Sequence, residues 1–343
     1  MRAAVLHGRE DVRVEWVPVP RPGAGEVLLR NRVALTCGTD VKVFRRGYHA
    51  RMLTPPALFG HELAGVVEEV GPGVAGPAPG TPVVVANSAP CGACEYCLAL
   101  RPSLCDDLLF WNGAYAEFAS IPARIVEKNL LALPPGLSFR RAAMVEPLAC
   151  VVRGVEACAL RAGDTAAVIG VGPIGLMFVV LLRERGVRVV AAGRSPRRLQ
   201  RALEMGALAA VSAGDDADLA AELRRHSPDG RGAHAVVEAA GGAATSEAAV
   251  RAVRKGGTVN LFGGCPADTR LSVDAARLHY EEVTVLATFH HTPASVREAL
   301  CLIVEGRIDP EQFISGEEPL ERLPGVLRRM AQGAEGLKTA ILT

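Results

Sequence analysis

Four cysteines crowd into a short stretch of this chain, Cys91-Gly92-Ala93-Cys94-Glu95-Tyr96-Cys97 and then Cys105. The two-residue gaps let successive sulfurs face one ion, and the longer loop brings the fourth around to close a tetrahedron. A shell of four thiolates has no open position for a reactant, so this pattern predicts a structural zinc. Further upstream stand Cys37-Gly38-Thr39-Asp40 and Gly60-His61-Glu62. Cys37, His61 and Glu62 offer a sulfur, an imidazole and a carboxylate, all zinc donors. A His before an acid is common in proteins without metal, so the case for these three rests on their company. The chain has nine cysteines, and a tight cluster in a reducing compartment points to metal rather than disulfides. Cys150, Cys158, Cys265 and Cys301 are scattered and are expected to be small buried hydrophobes.

A second chemistry is written at Gly170-Val171-Gly172-Pro173-Ile174-Gly175. An apolar strand precedes it and an apolar helix follows. Gly170 permits a tight turn, Gly172 lets backbone approach a pyrophosphate, and Gly175 lets helix and strand pack closely. Pro173 and Ile174 open the helix, whose first N–H groups face the phosphates. The next strand is expected to end at Ala192, where an NAD enzyme carries an acid for the ribose 2′-hydroxyl. Here the sequence is Gly193-Arg194-Ser195-Pro196-Arg197-Arg198, with no carboxylate and three guanidinium groups. Arginine binds phosphate through paired, charge-assisted hydrogen bonds, so the loop favours NADP(H) over NAD(H).

These residues need two kinds of scaffold. Over the first 140 or so residues, short alternating runs are broken by Gly and Pro, as in Val12–Val17, Val27–Leu35 and Leu63–Val70. That texture predicts an antiparallel β barrel or sandwich. After Glu146 strands alternate with helices: Thr165–Ile169, Ile174–Glu184, Val187–Ala192 and Arg197–Met205, then Ala235–Glu238, Ala243–Val253 and Thr258–Phe262. Such alternation implies βαβ units and a parallel sheet. The length of 343 residues suits about two domains. Hydrophobic residues make up 49% and charged residues 22%, enough for real cores, and the net charge of +1 gives no sign of a nucleic-acid or membrane partner. Met1–His7 does not resemble a signal peptide, and the longest apolar stretch, Ile174–Leu182, is far below the ~20 residues that span a bilayer. A cytoplasmic protein is expected.

In this order the motifs resemble the zinc-containing branch of the medium-chain dehydrogenase/reductase superfamily over nearly the whole chain. The resemblance implies an α/β protein with a GroES-like catalytic domain at 1–146, including a structural-zinc lobe at 87–110. A doubly wound Rossmann domain would follow at 147–289, and 290–343 would return to the first domain. Glu146-Pro147-Leu148 is similar to sorbitol and threonine dehydrogenases. By resemblance, Cys37, His61 and Glu62 surround a catalytic zinc, to which Glu146 contributes directly or through a water. Thr39 passes the substrate proton, Asp40 orients the liganding His, and Arg194 and Arg198 meet the 2′-phosphate with Gly193 and Ser195 between the strand and the next helix. Two zinc ions per chain and an oligomer, tetramer or dimer, are implied.

Two positions depart from the family pattern. Relay-competent members often carry His five residues after the first zinc Cys, where this chain has Lys42, a candidate for proton exit or for contact with substrate oxygens. The usual Gly-Asp pair is Gly80-Thr81. The expected activity is hydride transfer between NADP(H) and a secondary alcohol or polyol. The alternatives are an NAD-linked amino-alcohol dehydrogenase of the threonine type and, more remotely, a non-catalytic zinc-binding interaction protein. Phe44, Tyr48, Phe110, Trp111 and Phe289 are candidate pocket walls, although core packing is the commoner role for any one of them.

Overall fold

A computed structural model of the chain describes residues 1–49, 52–214 and 218–343. The chain divides into two compact units, one formed by Met1–Ala149 with His291–Thr343 and the other by Cys150–His290.

The first unit is organised around the strand Val27–Leu35, whose aliphatic residues are buried on both faces at its two ends. It pairs antiparallel with Glu62–Val70, with Phe118–Ile121 and with Lys338–Leu342. The register matches Leu35 with Glu62 on one side and with Ala340 on the other. The sheet has seven strands and is mostly antiparallel as expected, but Ile314–Pro319 runs parallel to Lys338–Leu342. A smaller sheet joins Arg2–Gly8, Asp11–Trp16 and Ala57–Leu58. Leu6, Leu29, Leu63, Val85, Tyr115 and Ile121 form the core, and burying each such side chain contributes about 1.5–3 kcal/mol. Phe44 belongs to this core, only 2% exposed, the commoner of the two roles weighed for it. Tyr48 is exposed and Trp111 packs against the same core. The β texture gave no sign of the helix Gly38–Arg46. Cys37 caps it, and the Asp40 carboxylate accepts from the Cys37 backbone N–H.

The second unit is a six-stranded parallel sheet. In chain order its strands are Thr165–Ile169, Arg188–Gly193, Ala209–Ser212, Ala233–Glu238, Val253–Leu261 and Thr284–Ala287, arranged 3-2-1-4-5-6. Thr165–Ile169 is buried throughout, as a strand covered on both faces must be. The strand order reverses beside it, and ligands bind such sheets at that point. The expected α/β doubly wound fold is present. The second strand runs one residue past Ala192, to Gly193, and the fifth begins at Val253 rather than Thr258.

Of the scattered cysteines only Cys158 is fully buried; Cys150 is partly buried, and Cys265 and Cys301 are exposed. Cys265 lies in a loop and Cys301 on the outer face of the helix Pro293–Val304, so neither fills a core. Among the described residues no helix is long and apolar enough to cross a membrane.

Candidate functional site

The pairing of Leu35 with Glu62 carries Cys37 and His61 to the same end of two neighbouring strands. There one donor atom each from Cys37, His61 and Glu62 lies within 4.8 Å of the other two. A zinc ion with bonds of about 2.0–2.3 Å needs tetrahedral donors about 3.3–3.8 Å apart, so small side-chain adjustments close the shell. Cys37 accepts a hydrogen bond from the Thr39 N–H at 3.4 Å. Burial pushes the Cys37 thiol up, but the charges of Lys338 and His61 outweigh it and bring the thiol down to about 7. The donor set suits zinc.

Buried Asp40 fixes the imidazole. Its Oδ1 lies 3.1 Å from His61 Nδ1, and its Oδ2 accepts from the Cys37 N–H at 2.9 Å and from the Tyr115 hydroxyl at 2.6 Å. With Nδ1 occupied, His61 presents Nε2 as its metal donor. Burial and the neighbouring Asp40 push the Tyr115 phenol well above its usual range, so it remains a donor.

Lys338 is the residue the sequence did not reveal. Its ammonium donates to both Glu62 oxygens at 2.6 Å and to the Thr36 carbonyl at 3.0 Å. Burial lowers the Lys338 pKa, but Glu62 and Cys37 outweigh it and hold it above the ordinary lysine range. Each Glu62 oxygen keeps a second lone pair for a metal.

Glu146 is not part of the three-donor group. It opens the helix Val145–Ala157, is buried, and lies 3.7 Å from His291 Nε2, which is 3.5 Å from Asn87 Oδ1. Burial pushes the Glu146 carboxyl up to about 7, with His61 pulling the other way. Neither His291 nor Asn87 was singled out by spacing. Thr39 is partly buried and Lys42 exposed on the helix that Cys37 caps.

The sulfurs of Cys91, Cys94, Cys97 and Cys105 all lie within 4.8 Å of one another, and Cys91 and Cys97 are 3.9 Å apart. Backbone N–H groups of Ala93 and Cys94 point at Cys91 and draw its thiol down to about 6. This lobe holds one turn of α-helix, Glu95–Leu98, and leaves Leu98 and Leu100 exposed. It has little core of its own, the setting in which a closed metal shell would contribute most to stability.

In the second unit Gly172 begins the helix Pro173–Glu184 with no side chain capping it, so the first N–H groups remain available to a phosphate. A Cβ on Gly175 would lie 1.7 Å from the Gly170 carbonyl oxygen, whereas one on Gly172 meets nothing within 4 Å. The Gly170 N–H donates to Ala192 at 2.8 Å, holding the neighbouring strand end beside the loop. Gly193 is closed in: a Cβ there would lie 2.3 Å from Val171 Cγ2. Arg194 is exposed and Arg198 partly buried, and Ser195 caps the helix Pro196–Glu204 by accepting from the Arg198 N–H. Glu238, fully buried at the end of the fourth strand, accepts from Ala240 N–H, Gly241 N–H and the Thr245 hydroxyl, and so fixes the loop beyond it.

Residues 23–134 match the alcohol dehydrogenase GroES-like domain family, and residues 173–305 match the zinc-binding dehydrogenase family. The fold is similar to alcohol dehydrogenase TADH from Thermus sp. ATN1, with a TM-score of 0.91 and 31% identity over 100% of this chain and 99% of that one. A Sinorhizobium meliloti 1021 protein solved with NADP bound matches with a TM-score of 0.89 and 31% identity, over 100% of this chain and 99% of that one. Sorbitol dehydrogenase of Bacillus subtilis (strain 168) is 27% identical over 97% of this chain and 94% of its own length.

Proposed function

This chain belongs to the zinc-dependent medium-chain dehydrogenase/reductase superfamily, in its polyol-dehydrogenase branch, and we propose that it moves hydride between NADP(H) and a secondary alcohol or polyol or the matching ketone. The observation that carries this reading is the convergence of Cys37, His61 and Glu62, with Asp40 orienting the imidazole. An oxidoreductase with both family halves leaves no room for the non-catalytic zinc-binding alternative.

Cys37, His61 and Glu62 would hold the catalytic zinc, with Glu146 contributing directly or through a water. Cys91, Cys94, Cys97 and Cys105 would hold a second, structural ion. When bound, zinc supplies a Lewis acid that acidifies the alcohol hydroxyl, and the nicotinamide takes the hydride. Thr39 would take the hydroxyl proton, and exposed Lys42 would pass it to solvent or touch a substrate oxygen. The Gly170–Gly175 loop would hold the pyrophosphate, and Arg194 and Arg198 the 2′-phosphate, with Gly193 and Ser195 shaping the turn. Arginines in place of an acid support NADP over NAD. The reading includes a homo-oligomer working in the cytoplasm.

The test is a panel of polyols and ketoses assayed with NADP(H) and NAD(H), alongside zinc analysis. Turnover of at least one secondary alcohol or ketose, favoured by NADP(H), is expected. Faster oxidation of L-threonine with NAD would overturn the polyol reading in favour of an amino-alcohol dehydrogenase.

A further inference from the structure

The coenzyme unit has a second set of converging cations, at the edge of its sheet opposite the Gly170 loop. The strands Ala233–Glu238 and Val253–Leu261 begin there, with Ala233 beside Val253. A cavity of about 570 Å³ opens at this edge, lined by Arg224, Arg231, Arg254, Lys255 and Arg277 against a single acid, Glu281.

Two of these arginines are fixed by the protein. Arg277 donates to the Val250 carbonyl at 3.0 Å and the Val253 carbonyl at 2.5 Å, and stands 2.6 Å from Glu281. Arg254 lies 2.8 Å from His234 Nε2 and 3.4 Å from Asp229. Those contacts engage Glu281 and Asp229, the Asp274 carboxylate accepts from the Arg277 backbone N–H at 3.4 Å, and among the described residues Arg224, Arg231 and Lys255 form no ion pair. The Nε of Arg224 is buried without a hydrogen-bond partner. Burial, together with the charge of Arg224, pushes the Arg277 guanidinium below the ordinary arginine range, with Glu281 pulling back.

Cations gathered in this way repel one another, and an anion seated among them removes that cost. Guanidinium groups match phosphate oxygens with paired, charge-assisted hydrogen bonds, and a lysine adds a point charge. Small-molecule sites occupy roughly 300–1,000 Å³, a range that includes this cavity and exceeds what one phosphate fills. We propose that the cavity binds the phosphate groups of a small phosphorylated metabolite, held by Arg224, Arg277 and Lys255, at a site separate from the coenzyme edge. Inorganic phosphate shares the chemistry but lacks the bulk.

Isothermal titration of the full chain, saturated with NADPH at about 0.15 M ionic strength, tests this with fructose 1,6-bisphosphate and inorganic phosphate as probes. One saturable bisphosphate site per chain is expected, at least tenfold tighter than inorganic phosphate. Arg224→Gln and, separately, exposed Lys255→Gln should each weaken it about tenfold or more, as loss of one charge-assisted contact implies, while NADPH affinity and the thermal transition stay unchanged. An Arg194→Ser/Arg198→Ser double variant should bind the bisphosphate as wild type does, which separates this site from the coenzyme edge even if NADPH binding fails. Absence of saturable bisphosphate binding, equal affinity for the two probes, or unchanged binding in both charge-neutral variants would overturn the proposal.

Discussion

Lys338 Nζ lies 2.6 Å from both carboxylate oxygens of Glu62, although the two residues are 276 positions apart and their strands are separated by Val27–Leu35. The side chains are 3% and 0% exposed, so neither charge has water to fall back on. Burial pushes the Glu62 carboxyl up to about 8, and Lys338 offsets part of that while holding this member of the donor group in one orientation.

Removing one member of a buried pair typically costs about 3–5 kcal/mol, because the other charge is left uncompensated. Lys338→Met should therefore lower unfolding free energy by about that amount in EDTA-treated protein, measured by urea denaturation. Adding Glu62→Gln should recover at least half of the loss. A loss below ~1 kcal/mol in the single variant would show that the pair contributes little.

Purified protein should contain about two zinc ions per chain, and the two sites should fail differently. Cys94→Ser is expected to lower the thermal transition and the soluble yield. Cys37→Ser should abolish turnover with the transition nearly intact, and Glu146→Ala should weaken retention of the catalytic ion about 10–100-fold, as loss of an orienting partner does. Metal analysis after graded chelation checks all three. The reverse pattern for the two cysteines would mean the sites are interchanged.

Tyr115→Phe removes the hydroxyl that donates to the Asp40 carboxylate at 2.6 Å and lies 3.0 Å from the Leu35 carbonyl, and leaves the ring in the core. The expected cost is about 1–3 kcal/mol of stability, with faster zinc loss to a chelator as Asp40 loosens its hold on His61. A variant that keeps zinc as wild type does would assign Tyr115 to packing alone.

Cofactor choice should favour NADP over NAD by at least tenfold in kcat/KM, since one charge-assisted contact to phosphate is worth about 1.5–3 kcal/mol. Arg194→Ser with Arg198→Ser should remove most of that preference. Gly193→Asp, the obvious route to NAD, meets Val171 at 2.3 Å, so alone it should weaken both cofactors. Paired with Val171→Ala it should favour NAD. Wild-type efficiency with NAD equal to that with NADP would leave these arginines as a solvated helix start.

The convergence of the four sulfurs was legible because two-residue gaps such as Cys91-x-x-Cys94 let successive side chains meet, whereas Cys37, His61 and Glu62 were brought together only by the family resemblance. The parallel sheet was legible from its rhythm of strands and helices, with errors of a residue or a few at ends such as Gly193 and Val253. Lys338 left no local signal: a lysine starting a short apolar strand looks like any solvated residue until the register sets that strand beside Val27–Leu35. His291 and Asn87 were hidden for the same reason, since their meeting is made by tertiary structure alone. Cys265 and Cys301 show composition misleading, with small thiols expected inside left on the surface.

The strand carrying Lys338 also constrains the order in which the donor group can be assembled. Cys37, His61 and Glu62 leave the ribosome early, but their counter-charge follows only after the whole coenzyme unit, Cys150–His290, has been synthesised. That unit is continuous in sequence and can begin to fold while the first remains incomplete. Until Lys338 arrives, the nascent donor cluster carries an unbalanced carboxylate in a half-built sheet. Metal captured at that stage would sit among donors lacking their electrostatic partner, so completion of the donor group waits on the strand Lys338–Leu342.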